Sequence, residues 1–166
     1  EISKALFVAL ETTLSLAFPK LNFSETTPLG VAIAIHTVPT SSLPSPFVGP
    51  AIPVVAIVVP IFNEESCLPE LIRRLVDLRD SNQREFEFRA ILVDDGSTDG
   101  MGDLVESQAQ STPEIRLVRH KTNYGRGRAI RTGFEHALGR FVICLDSDLS
   151  YDPGHILTLL NPMERD

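Results

Sequence analysis

Two aspartates, Asp146 and Asp148, follow the apolar run Phe141-Val142-Ile143-Cys144-Leu145 with one serine between them. Like charges at that spacing repel, and a shared cation relieves them. Hard carboxylate oxygens suit Mg²⁺ or Mn²⁺, with the oxygens of a phosphorylated substrate completing the shell. Alternate residues of a strand face opposite sides, so both acids reach one ion only where the backbone turns. A solvated strand end is the plainer alternative.

Three more clusters carry chemistry. Asp94 and Asp95 open the segment DDGSTDG. Asp, Gly, Ser and Thr are ordinary turn and cap residues, which accounts for Asp99, but two adjacent acids exceed what a cap needs. The segment NYGRGRAIRTG sets Arg126, Arg128 and Arg131 among glycines, just after Arg119 and Lys121. Glycines let backbone approach a phosphate, and a helix start welcomes an anion. The segment lacks the GK[ST] of a P-loop, and no GxGxxG follows the first strand, so helix packing and solvated arginines explain it equally well. The fourth cluster is PIFNEE, where Glu64 and Glu65 are ordinary first-turn acids. His36, His120, His136 and His155 show no ligand spacing and read as structural or surface residues.

These clusters need elements to hold them. The run VVAIVV (54–59) suits a buried parallel strand. Leu68, Leu71, Ile72, Leu75 and Val76 recur at helical spacing, with Asn63 placed to cap the start. Strands are expected at 88–95, 114–120 and 141–146, and helices at 103–110 and 128–138, the last ended by Gly139. Ala129, Gly133 and Ala137 form a small-residue stripe that would let the last helix lie close against a sheet. This β-α-β-α-β-α-β alternation implies a parallel sheet with right-handed crossovers. All four clusters then fall at the carboxyl ends of strands, along one edge, where open α/β sheets bind ligands.

Composition bounds the rest. At 166 residues and 43% apolar, the chain suits one packed domain with an appendage. A net charge of −7 argues against nucleic-acid binding. Two distant cysteines, Cys67 and Cys144, form no disulfide framework and favour a reducing compartment. Ala5–Phe18 is too short for a spanning helix and carries Glu11. Residues 19–53 hold prolines at 39, 44, 46, 50 and 53, so residues 1–53 read as a leader, linker or strap of unassigned role before a domain at 54–166.

Taken together, VVPIFNEE, ILVDDGSTDG, NYGRGRAIRTGFEHALGRFVICLDSDLS and the trailing YDP resemble the family 2 glycosyltransferases over roughly residues 54–162. Within that family the chain is most similar to dolichyl- and polyprenyl-phosphate mannosyl- and glucosyltransferases. The resemblance implies a Rossmann-like GT-A nucleotide-sugar-binding domain with a mainly parallel sheet, cut short at its C-terminus. It implies metal-assisted, inverting transfer of a hexose from a UDP- or GDP-sugar, with Mg²⁺ or Mn²⁺, to a polyprenyl or dolichyl phosphate. That acceptor would bring the protein to the cytoplasmic face of a membrane.

By the same resemblance, Pro60, Phe62 and Glu64 or Glu65 would flank base and ribose. Asp95, more than Asp94, would hydrogen-bond the base. Gly125, Arg126, Gly127, Arg128 and Ala129 would lie beside the ribose and diphosphate. Asp146 and Asp148 would form the DxD motif, Asp148 as the stronger metal ligand and Asp146 shared between ribose and metal. Ser147 stands where the family usually has Ala. The family's acceptor-side acid, later basic residues and lipid-facing helices would follow Asp166, which implies donor binding with weak turnover. Two alternatives remain: a non-catalytic nucleotide-sugar-binding module, and a haloacid-dehalogenase-like phosphatase with Asp146 as nucleophile. The second leaves VPIFNEE and DDGSTD unexplained and has no lysine after Asp148.

Overall fold

The computed structural model describes residues 22–23, 32–35 and 52–163. Its strands are β1 (Asn22–Phe23), β2 (Ala32–Ile35), β3 (Val54–Ile61), β4 (Glu87–Asp94), β5 (Ile115–Arg119) and β6 (Phe141–Cys144). Its helices are α1 (Leu68–Asn82), α2 (Met101–Ser111), α3 (Arg126–His136) and α4 (His155–Met163). The sheet runs β1-β2-β6-β3-β4-β5. β6, β3, β4 and β5 are mutually parallel, whereas β2 lies antiparallel to β6 and β1 antiparallel to β2.

The period of two along β3 explains the layering. Val55, Ile57, Val59 and Ile61 join Phe88, Ala90 and Leu92 of β4 in a core beneath α1, α2 and α4. Ala56 and Val58 join Ile91 and Val93 in a second core against Ala129, Ile130 and Phe134 of α3. A central strand buried on both faces needs an unbroken apolar run, and β3 supplies one. Pro60 is tolerated because its nitrogen points toward β6 beyond the last pair, Val58–Cys144. Gly133 is where α3 comes closest: a Cβ there would sit 2.2 Å from Val58 Cγ1. The small-residue stripe is therefore a packing device.

Several boundaries differ from expectation. Asn63 does not cap α1, which begins at Leu68 after a Cys67 N-cap with no side-chain bond. Asn63 has φ of 55° and turns its amide oxygen to the next loop instead. Gly139 does not end α3, which stops at His136; a Cβ at Gly139 would press on Val54 O at 2.8 Å. Residues 32–35, read as part of an irregular segment, pair with β6 through Ala32–Cys144 and Ala34–Val142. The prolines that argued against a strand all lie after that stretch. The Ala5–Phe18 segment lies outside the described residues. Among the described residues, no helix is long and apolar enough to cross a membrane.

Candidate functional site

Chain order reverses at β3: β4 and β5 build outward on one side, and the chain then crosses to place β6 on the other. Such a switch point leaves a crevice at the carboxyl ends of the two strands, where open α/β sheets take ligands. Phe62 follows β3 into this crevice and is 43% exposed. Asp146 and Asp148 follow β6. The tips of β4 and β6 each flank β3, so they stand about 10 Å apart across the sheet.

The acids at the tip of β4 are both buried, Asp94 at 0% and Asp95 at 3% exposure. Asp94 accepts from the Ser97 amide at 2.8 Å and from Arg119 Nε at 2.7 Å. Burial pushes its carboxyl up, but the Ser97 bonds and the Arg119 guanidinium outweigh this and hold it below the usual carboxylate range. Arg119 reaches Asp94 across Gly102, where a Cβ would overlap the guanidinium. Asp95 accepts from the Tyr124 amide at 3.0 Å and the Gly125 amide at 2.7 Å, and pairs with His120 Nδ1 at 2.7 Å. It thereby draws the loop ahead of α3 inward.

The loops after β3 and β4 are laced together. The Asn63 amide donates to Ser97 Oγ at 2.9 Å, and the Thr98 amide returns a bond to Asn63 Oδ1 at 2.9 Å. The Glu65 amide donates to Asp99 Oδ2 at 3.1 Å, and Glu65 Oε2 accepts from the Gly100 amide at 3.3 Å. Gly96 permits this path with φ of +74° and no room for a side chain, its Cβ position lying 2.4 Å from the Thr122 carbonyl carbon. Glu65 and Asp99 thus brace the edge. Pro60 is buried in β3, and Glu64 caps the following turn through its backbone carbonyl.

After β6 the backbone turns at residues 147–148 and passes through Leu149 at φ of 58°. That turn removes the alternation that would send the two acids to opposite faces. Asp148 accepts from the Ser150 amide at 2.9 Å and the Ser150 hydroxyl at 2.7 Å, and these bonds hold its carboxyl below the usual range. Asp146 pairs with Arg126 from the first turn of α3. The neighbouring Cys144 thiol is pushed up to about 12 by burial, which leaves it a core residue.

Among the described residues, no three His, Cys, Asp or Glu side chains form a ready-made metal cage. Mg²⁺ and its relatives are commonly held by one or two carboxylates plus substrate phosphates, so the Asp146–Asp148 donor set fits an ion that arrives with a diphosphate. Space for that group exists beside them. At Gly125, with φ of +90°, and at Gly127 no atom beyond the flanking residues and the helix's own backbone lies within 4 Å of where a Cβ would be. Gly125, Arg126, Gly127 and Arg128 open α3, and the positive end of the helix faces this space. Ala129, by contrast, is fully buried and packs against the sheet.

The sheet edge thus brings together the acid pairs, the glycine–arginine segment and Phe62. Sequence reasoning places Asn63 and Arg119 near this edge and reads His120 as structural or surface, but it does not reveal their partners, and it does not single out Thr132. His120 was legible only by position, since it directly follows β5 on the ligand edge.

A doubly wound sheet with acids and a glycine-rich helix start at its switch point is a nucleotide-binding architecture of the GT-A type. Residues 56–166 match the model of glycosyl transferase family 2, and the chain belongs to that family. It is 39% identical over 112 residues to an undecaprenyl-phosphate 4-deoxy-4-formamido-L-arabinose transferase of Shewanella sediminis, covering 66% of this chain and 33% of that protein. It is similar to S. aureus TarS 1-349 in complex with UDP, at 25% identity and a TM-score of 0.56, over 67% of this chain and 32% of that one. The fold also matches the mannosyltransferase PcManGT of Pyrobaculum calidifontis, solved with GDP-Man and Mn²⁺. That match has 22% identity and a TM-score of 0.54 over 94% of this chain and 41% of that one. The chain spans about a third of the length of the curated relative it matches. The phosphatase reading is set aside by this membership.

Proposed function

We propose that the carboxyl edge of the sheet binds a nucleoside diphosphate sugar together with Mg²⁺ or Mn²⁺. In this reading the whole protein transfers the hexose, with inversion, to a polyprenyl or dolichyl phosphate. The observation that carries the proposal is the contact between Arg126, at the glycine-rich start of α3, and Asp146 of the acid pair. A diphosphate seated on that helix start lies against the carboxylates.

In this reading Phe62 flanks the base with Glu64 and Glu65 at its rim, while the buried Pro60, Asp94 and Asp95 shape that edge from beneath. The Gly125–Arg128 backbone approaches the ribose and diphosphate, Arg126 and Arg128 supply charge to the phosphates, and the buried Ala129 seats the helix on the sheet. A divalent ion held by Asp146, Asp148 and the diphosphate would stabilise the negative charge that develops on the departing nucleotide. The acceptor phosphate is already ionised at neutral pH, so its oxygen needs little help from a base. The curated relative named as an undecaprenyl-phosphate transferase and the UDP bound by TarS support a polyprenyl-phosphate acceptor and a nucleoside diphosphate donor. A lipid phosphate acceptor would set the protein at the cytoplasmic face of a membrane.

Calorimetric titration with UDP and GDP, with and without Mn²⁺, tests the proposal. Metal-dependent binding of one nucleotide, lost in Asp148→Ala, is expected. Binding indifferent to both metal and substitution would overturn the assignment of the acid pair.

A further inference from the structure

His120 is a part-buried histidine, its side chain 10% exposed, that the transfer chemistry leaves unused. Its Nδ1 lies 2.7 Å from Asp95 Oδ1 and its Nε2 lies 2.9 Å from Thr132 Oγ1 in the middle of α3. Its backbone amide donates to Asp94 O at 2.8 Å. The Tyr124 ring meets it edge-on at 5.3 Å. One imidazole therefore ties the tip of β4, the loop after β5 and the helix that opens the phosphate side of the edge.

The carboxylate fixes the role of one ring nitrogen. A carboxylate only accepts, so Nδ1 carries hydrogen toward Asp95. The Thr132 hydroxyl, which can donate or accept, meets Nε2 on the other side of the ring. Asp95, held on one side by the ring, spends its other bonds on the Tyr124 and Gly125 amides. Those amides sit at the entry to α3, and Gly125 holds φ of +90° there.

We propose that His120 is a positioning residue for nucleotide recognition. It orients Asp95 through a Thr132–His120–Asp95 chain, and Asp95 in turn fixes the Tyr124–Gly125 backbone in the form that receives the diphosphate. His120 touches no substrate. The inference rests on the donor-binding reading above, and its test separates the two.

The test uses amide hydrogen exchange at Tyr124 and Gly125 in the ligand-free chain, followed by Kd for UDP and GDP with Mn²⁺. An asparagine at 120 can place a donor near the Nδ1 position, whereas glutamine reaches toward the Nε2 position and leaves Asp95 with its two backbone amides alone. His120→Gln is expected to lose protection at both amides and to raise Kd at least about tenfold, because a buried carboxylate loses a partner. His120→Asn is expected to keep the protection and to bind within about threefold of the parent. Thermal stability falls in both variants, so an affinity that follows Tm rather than the amide protection overturns the positioning role. Protection or affinity unchanged in His120→Gln overturns it as well. A parent chain that binds neither nucleotide overturns the donor reading and the recognition role together, while the exchange data still judge the pinning of the loop.

Discussion

Arg126 reaches from the first turn of α3 to pair with Asp146, the first acid after β6. The pair is half open to solvent, so it adds little to stability. Its interest is electrostatic: an internal cation already sits on one member of a pair of acids that would otherwise repel.

Arg126→Ala is therefore expected to have opposite effects on two ligands. With one cation removed from the acid pair, Mn²⁺ alone should bind more tightly. UDP or GDP in the presence of Mn²⁺ should bind about three- to tenfold more weakly, the loss of one charge-assisted phosphate contact. Tm should move little, because an exposed pair carries at most about 1 kcal/mol. Manganese EPR and calorimetry check the two signs; weaker binding of Mn²⁺ alone would contradict this picture.

Asp94 sets the response to acid. Its folded pKa is depressed, so its contribution is complete above the ordinary carboxylate range and is lost as pH falls through the folded value. Stability should decline from roughly pH 4 downward on its account. Asp94→Asn should cost about 1–3 kcal/mol at neutral pH, since a buried acceptor of the Arg119 and Ser97 bonds is weakened. The variant should also flatten the acid limb. Gly102→Ala, which blocks the path of Arg119 to Asp94, should reproduce part of both effects. Urea melts between pH 3 and 7 measure them.

Gly133→Ala tests the close approach of α3. Alanine favours a helix by about 1 kcal/mol over glycine, but a Cβ placed 2.2 Å from Val58 Cγ1 forces the packing apart. A net loss of about 1–2 kcal/mol is expected from overpacking after that offset. A stabilised variant would mean that the helix sits more loosely than described.

The parallel core was legible because β3, β4 and β6 are short apolar runs closed by polar clusters, a pattern that only a doubly covered sheet satisfies. The site edge followed from the same pattern, since Asp94 ends β4, Asp95 follows it, and Asp146 and Asp148 lie within four residues of the end of β6. What sequence could not reveal was partnership between loops. Asn63 looks like a cap to α1, yet its amide side chain finds Thr98, 35 residues away. His120 and Thr132 are 12 residues apart and carry no motif; only the folding of α3 back onto the sheet puts them in contact. Strand β2 escaped notice because its run AIAI is only four residues long, its partner β1 has only two residues, and its partner β6 lies over a hundred residues away.

The most direct trial is paramagnetic broadening of amide signals by Mn²⁺ in the presence of UDP or GDP. If one metal–diphosphate complex sits where the strand tips converge, amides of residues 123–127 and 146–150 should broaden together at stoichiometric nucleotide, residues 94–97 more weakly, and the far end of the sheet around Val54 and Glu87 not at all. Broadening confined to scattered surface acids such as Glu70 and Asp77, unchanged when nucleotide is added, would contradict it.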